Sequence, residues 1–210
     1  ERGIETILAL TGDKPPARKA RKVFELDSIG ILQLIRQLNA ERLKAAANLE
    51  AFTAMPLLTA GAAVSPFKYT PGSMAMQYIK AAKKVREGAA FLVCQAGWDA
   101  SRSELLIKEL KGEGVPIIGN ALVVNAAAAR AMRALPGCVV INEFIDRLAK
   151  ESEADQHMRA AQQIAMFRQL GYAGVDLGKP GDFASTDEIA AIVEKSLAIT
   201  DWQAFRDNLQ

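Results

Sequence analysis

The sequence predicts an α/β protein built on a mostly parallel sheet, with about five βα units. Three observations carry this reading. Five short apolar runs alternate with longer amphipathic stretches, the pattern of strands followed by helices. Three of the amphipathic stretches end at a glycine that stops helices: Gly88, Gly112 or Gly114, and Gly171. Polar residues and glycines collect just past the apolar runs, at the strand edge where parallel sheets bind their ligands.

The first run is Thr6-Ile7-Leu8-Ala9-Leu10, closed by Thr11-Gly12-Asp13. A basic, proline-containing loop from Lys14 to Lys22 leads to Asp27 or Ser28, either of which caps a helix with Ile31, Leu34, Ile35 and Leu38 on one face. An alanine-rich stretch over Glu41–Phe52 reads as a second helical segment. The second run, Pro56 to Val64, ends at Ser65-Pro66, and its helix stripes Met74, Tyr78, Ala82 and Val85 before Gly88. The third run is Phe91 to Gln95, with a helix over Glu104–Lys111. The fourth, Val115 to Val124, precedes helical segments over Ala126–Leu135, Asn142–Lys150 and Glu153–Leu170. The fifth, Tyr172 to Leu177, leads into a last helix from Thr186 to about Asn208. Periodicity alone leaves two architectures open, a doubly wound open sheet and a large part of a closed barrel.

Composition narrows the function classes. The 210 residues are 50% hydrophobic and 24% charged, which excludes a disordered chain. Lys and Arg number 26 against 24 Asp and Glu, a net charge of +2, so the footprint of a dedicated nucleic-acid binder is missing. The basic residues Lys14, Arg18, Lys19, Arg21 and Lys22 have no interleaved aromatics and read as a solvated loop. No apolar run approaches the ~20 residues that span a bilayer, so no membrane partner is expected. Cys94 and Cys138 form no disulfide framework, and a reducing, cytoplasmic location is expected. Cys94, flanked by apolar residues, reads as an inert core thiol. His157 reads as a surface residue, and no metal site is expected. No G-x-G-x-x-G follows the first run and no P-loop occurs, which argues against those nucleotide modes.

Several segments, in order and at βα spacing, resemble one family. Ile7-Leu8-Ala9-Leu10-Thr11-Gly12-Asp13 is similar to the strand and "RGD" segment of methylenetetrahydrofolate reductases, with Thr11 where arginine is common. Phe24-Glu25-Leu26-Asp27-Ser28-Ile29-Gly30 resembles their "DSIGL" stretch, and Gly61-Ala62-Ala63-Val64-Ser65-Pro66 their "GVAVNP", with Ser65 in place of asparagine. Lys83 to Phe91 resembles "RKVEAGADF", and Val93 to Asp99 sits where the family has a "TQxxxD" motif. The resemblance covers residues 4 to 124 well and is topological beyond them.

That resemblance implies a TIM (βα)8 barrel binding FAD at the C-terminal ends of its strands. The motifs correspond to strands four through eight, so a partial barrel is expected, with residues 1–210 as a single domain forming its C-terminal portion. The strand-one glutamate that serves the family as general acid is not encoded. The chain lacks an initial Met and opens at the edge of a strand, and a fragment is the expectation. The implied reaction is flavin-dependent reduction of 5,10-methylenetetrahydrofolate to 5-methyltetrahydrofolate, with NAD(P)H or a partner electron carrier as donor. These residues alone are expected to be inactive. The alternative is a non-catalytic, reductase-like assembly or binding subunit that has lost FAD. An incomplete barrel has two free sheet edges, so self-association or a partner chain completing the barrel is expected.

Residue roles follow from the resemblance, each with a plainer alternative. Asp13 would lie beside the flavin ring as the catalytic carboxylate, with Thr11 and Gly12 at the same strand end; otherwise Thr-Gly-Asp is a turn. Gln95 would hydrogen-bond the folate's pterin, or be a strand-end amide met by backbone. Lys84, with Lys83 beside it, would approach the FAD phosphates, or belong to a solvated helix face. Gly61, Ala62 and Ser65 would flank the adenosine, or form a small-residue strand packed by helices. Asp27 and Ser28 would offer helix-start N–H groups to the pyrophosphate, or act as a plain cap. Trp98 would stack on a ligand or cover a rim, and Asp99 caps the following helix.

Overall fold

The computed structural model describes residues 3–11, 25–47, 56–135 and 137–209. Each apolar run contains a strand: β1 (Thr6–Ala9), β2 (Thr59–Val64), β3 (Phe91–Cys94), β4 (Ile117–Leu122) and β5 (Gly174–Gly178). They form one parallel sheet in the order β1-β2-β3-β4-β5. Neighbours in sequence are neighbours in space, without the reversal of strand order that defines a doubly wound sheet. Of the two architectures left open by periodicity, the doubly wound one is therefore set aside.

Between the strands run α1 (Ser28–Ala47), α2 (Pro71–Arg86), α3 (Ala100–Leu110), α4 (Ala126–Arg133), α5 (Asn142–Leu148) and α6 (Glu153–Leu170), with α7 (Thr186–Ala198) after β5. Their starts are set by short polar side chains accepting from the first free N–H groups. Thr70, Asp99, Asn125 and Ser185 do so singly, while Ser152 and Asp155 cap α6 reciprocally. Gly171 ends α6 at φ 87°, a conformation that side chains with a Cβ resist. Asp99 therefore caps α3, as its position suggested.

Two expectations need correction. Helical structure over residues 28–47 is one continuous helix rather than two segments, and residues 48–55 lie outside the described ones. The last helix does not run to Asn208. It stops at Ala198, Ile199 is extended, and a separate 3-10 helix spans Trp202–Leu209. Arg168 and Gln169 from α6 donate to the Ser196 and Ile199 carbonyls, so the break satisfies backbone groups through a neighbouring helix.

Register assigns every strand residue to a face. Ala9, Ala60, Ala62, Leu92, Cys94, Ile117 and Ala121 share one side and are buried with Leu32, Leu106, Met166 and Phe167. Small residues on this side let the helices approach, and at Gly119 a Cβ would stand 2.6 Å from the Phe167 ring. The opposite side carries Leu8, Ala63, Phe91, Val93, Ile118 and Leu122, none of which is buried. Leu8 is 40% exposed. An apolar sheet face left this open is a surface that expects a cover.

Candidate functional site

A cavity of about 480 Å³ opens at the C-terminal ends of β1, β2 and β3. Its lining brings together Thr11 and Ser28, Ala63 to Ser65, Lys68 and Gln77, Lys84, Gln95, and the stretch around Gly137 and Cys138. Five residues singled out in the sequence for binding thus converge: Thr11, Ser28, Ser65, Lys84 and Gln95. Its volume falls within the range of small-molecule sites.

Each side chain is placed by an identifiable element. Thr11 follows β1, and its hydroxyl accepts from the Ser28 N–H at 2.9 Å, pinning the start of α1 to the strand end. Asp27 accepts from Gly30 N–H at 2.8 Å as a helix cap. Two N–H groups of this helix start are therefore already held by protein partners. Lys84 reaches from α2 to the sheet, where its ammonium donates to the Ala63 carbonyl at 2.7 Å. Burial holds Lys84 below the ordinary lysine range, Lys80 adds to the effect, and Asp27 opposes it. Lys68 is lowered likewise, first by burial and then by Lys80, with Cys138 pulling the other way. Ser65 has a buried hydroxyl oxygen without a hydrogen-bond partner. The Gln95 amide nitrogen lies 3.5 Å from Cys138 Sγ, its backbone N–H donating to the Val64 carbonyl.

Two ammonium groups short of solvation line this cavity, with the buried, unpartnered Ser65 hydroxyl in its wall, and such donors suit a phosphate-bearing ligand. A diphosphate is one ligand of that chemistry. Gln95 presents an amide able both to donate and to accept toward a heterocycle edge.

Other sequence candidates lie elsewhere. Gly61 is outside the cavity lining, and the Phe91 ring covers it so closely that a Cβ would meet ring carbons at 2.2 to 2.8 Å. Ala62 is fully buried on the helix side of the sheet. Both positions follow the packing alternative. Gly12 and Asp13, with the basic loop from Lys14 to Lys22, lie outside the described residues. Trp98 is buried and stacks on Phe144, with ring centroids 4.8 Å apart. Cys94 is buried in the core, and burial pushes its thiol up to about 12, so it stays a thiol at neutral pH.

His157 contradicts its reading as a surface residue. Only 17% of its side chain is exposed, and its Nε2 lies 2.9 Å from Glu188 Oε1. Glu153, one helical turn earlier, stood at the spacing that brings it to the same face. Lys68, Gln77 and Cys138 were not anticipated in the cavity. Lys68 lies four residues past the end of β2 and was within reach of a positional argument; Cys138 arrives from a loop 43 residues beyond Gln95 and carried no local signal.

A sequential parallel sheet with helices between its strands defines an α/β protein of the barrel-related kind. The chain belongs to the methylenetetrahydrofolate reductase family, whose model matches residues 1–177. Among solved structures, an uncharacterized protein from Clostridium thermocellum that binds two copies of 5-methyl-5,6,7,8-tetrahydrofolic acid is similar at 11% identity and a TM-score of 0.49. That match covers 67% of this chain and 52% of the other, so the chain spans about half its length. No curated protein matches the chain. Among the described residues, no helix is long and apolar enough to cross a membrane.

Proposed function

We propose that this chain is the strand-four-to-eight part of a flavin-dependent methylenetetrahydrofolate reductase, reducing 5,10-methylenetetrahydrofolate to 5-methyltetrahydrofolate. The observation that carries the proposal is the convergence of Ser65, Lys68, Lys84 and Gln95 on one strand-end cavity in a chain of this family. Lys84 and Lys68 would neutralise the diphosphate of FAD, Ser65 would donate to it, and Thr11 with Ser28 would close its flank. FAD, when bound, supplies hydride chemistry. The chain's own work is to hold the ligands in contact, with Gln95 orienting the pterin edge and the cavity walls keeping water from the reacting faces. The general acid expected on the family's first strand, and the electron donor, NAD(P)H or a carrier protein, would come from outside these residues.

The barrel is proposed to be partial, on the strength of the sequential sheet and its uncovered apolar face. Closure by further strands would bury Leu8, Phe91, Val93 and Ile118 and remove both free edges. A second reading, a binding subunit without FAD, is favoured by one observation: the Lys84 ammonium already has an internal acceptor in Ala63. A flavin titration of the purified chain decides between them. Saturable FAD binding that weakens about tenfold or more in Lys84→Met supports the reductase reading, as expected for losing a charge-assisted contact. Absence of flavin binding, with folate binding retained, supports the second.

A further inference from the structure

Away from the cavity, three potential metal ligands meet where α6, the end of β5 and α7 come together. Glu153 and His157 stand one turn apart on α6, and Glu188 lies in the first turn of α7. One oxygen from each carboxylate and one imidazole nitrogen all lie within 4.8 Å of one another. Glu188 is held in place, because its second oxygen accepts from the Ala184 N–H at 2.7 Å.

The imidazole faces the Glu188 carboxylate directly. His157 Nε2 is buried and lies 2.9 Å from Glu188 Oε1, at contact distance but off the line of a well-directed hydrogen bond. Two atoms each about 2.0–2.1 Å from one zinc ion are roughly 2.9 to 3.4 Å apart, and each then points at the ion rather than at its neighbour. Glu153 Oε1 is 4.0 Å from the same nitrogen on a side chain that is 73% exposed, so a change of rotamer brings it in. Lys179, directly after β5, places its ammonium 2.7 Å from Glu188 Oε1 and 3.4 Å from Glu153 Oε1. A cation thus already bridges the two carboxylates.

We propose that Glu153, His157 and Glu188 bind one divalent transition ion of the zinc type, with Lys179 as the counter-cation that closes the site when no ion is present. An imidazole with two carboxylates suits zinc or cobalt, whereas magnesium and calcium take all-oxygen sets. Three protein ligands leave a fourth position for water. The bound ion would tie the start of α6 to the start of α7.

The test is titration of the full chain, stripped with a chelator, by Zn(II) in calorimetry and by Co(II) in visible absorption. The expected result is one ion per chain, with tetrahedral Co(II) bands that Zn(II) abolishes. His157→Gln should weaken binding by more than about 100-fold, beyond what loss of an outer partner costs. Lys179→Met, which removes the competing ammonium and no ligand, should tighten it about tenfold or more by the same electrostatic reasoning. Folding of His157→Gln is checked by circular dichroism, and Lys179→Met stands as an independent arm. The proposal is overturned if neither the parent chain nor Lys179→Met binds either ion, or if binding persists unchanged in a folded His157→Gln.

Discussion

The Lys84 ammonium and the Ala63 carbonyl are joined at 2.7 Å, so the floor of the strand-end cavity is a cation held against the backbone of β2. Its pKa lies below the ordinary lysine value of 10.5, chiefly through burial. The unfolded chain therefore binds this proton more tightly than the folded one. The charged form costs the fold stability at neutral pH, and that cost is relieved as pH rises through the lowered folded value toward 10.5.

A phosphate-bearing ligand reverses the balance, since an anion favours the charged ammonium. Affinity for ADP, used as a diphosphate probe, should hold at neutral pH. It should then fall with rising pH before the ordinary lysine range is reached. Lys84→Met should bind more weakly with a shallower pH dependence, the remainder coming from Lys68. Equal pH profiles in the two proteins would remove Lys84 from the binding set.

Gly61 is expected to be intolerant of any side chain. A Cβ there would stand 2.2 Å from the Phe91 ring, so Gly61→Ala should cost about 1–3 kcal/mol in urea unfolding through overpacking. Much of that loss should return in the Gly61→Ala, Phe91→Leu double variant, because the two residues share one space. Additive losses would show that the ring is not the cause.

Arg159 is 3% exposed, pairs with Glu151 at 3.1 Å, and donates to the Val124 carbonyl at 2.6 Å. Arg159→Met keeps the volume but leaves a carboxylate and a carbonyl unpaired. A loss of about 3–5 kcal/mol is expected. Glu151→Gln should cost less, since its amide oxygen still accepts. Thermal or urea unfolding of both variants gives the comparison.

The uncovered sheet face should show in solution. Sedimentation velocity is expected to report concentration-dependent self-association of the isolated chain, and Leu8→Lys should shift it toward monomer by placing a charge on that face. A monomer at all concentrations in the parent chain would count against the face as an interaction surface.

Strand centres were legible from the apolar runs because each run contains a segment paired into the parallel sheet. Strand ends were not. Pro56 to Leu58, Val115-Pro116 and Tyr172 prolong their runs without pairing as strand, and Tyr172 is used instead to donate its hydroxyl to the Ser103 carbonyl at 2.9 Å. The break after Ala198 was hidden for a related reason. Helical periodicity continues through it, while the groups that accept the cost of breaking, Arg168 and Gln169, lie some 30 residues away.

Of the site, the strand-end residues were readable from position, since parallel sheets gather ligands there. Cys138 and Glu188 were not, because both reach their partners through tertiary return of the chain. Glu153 was readable, standing one turn from His157.

The one-after-another strand order has a further consequence for how such a protein can change length. Adding a whole βα unit at either margin leaves every interior strand with both its lateral neighbours, and removing one costs only the strand beside it a neighbour. Growth and truncation by units then leave the middle of the sheet undisturbed, so homologues of different sizes can share one architecture, and a designer could graft units onto β1 or β5 without repacking β3.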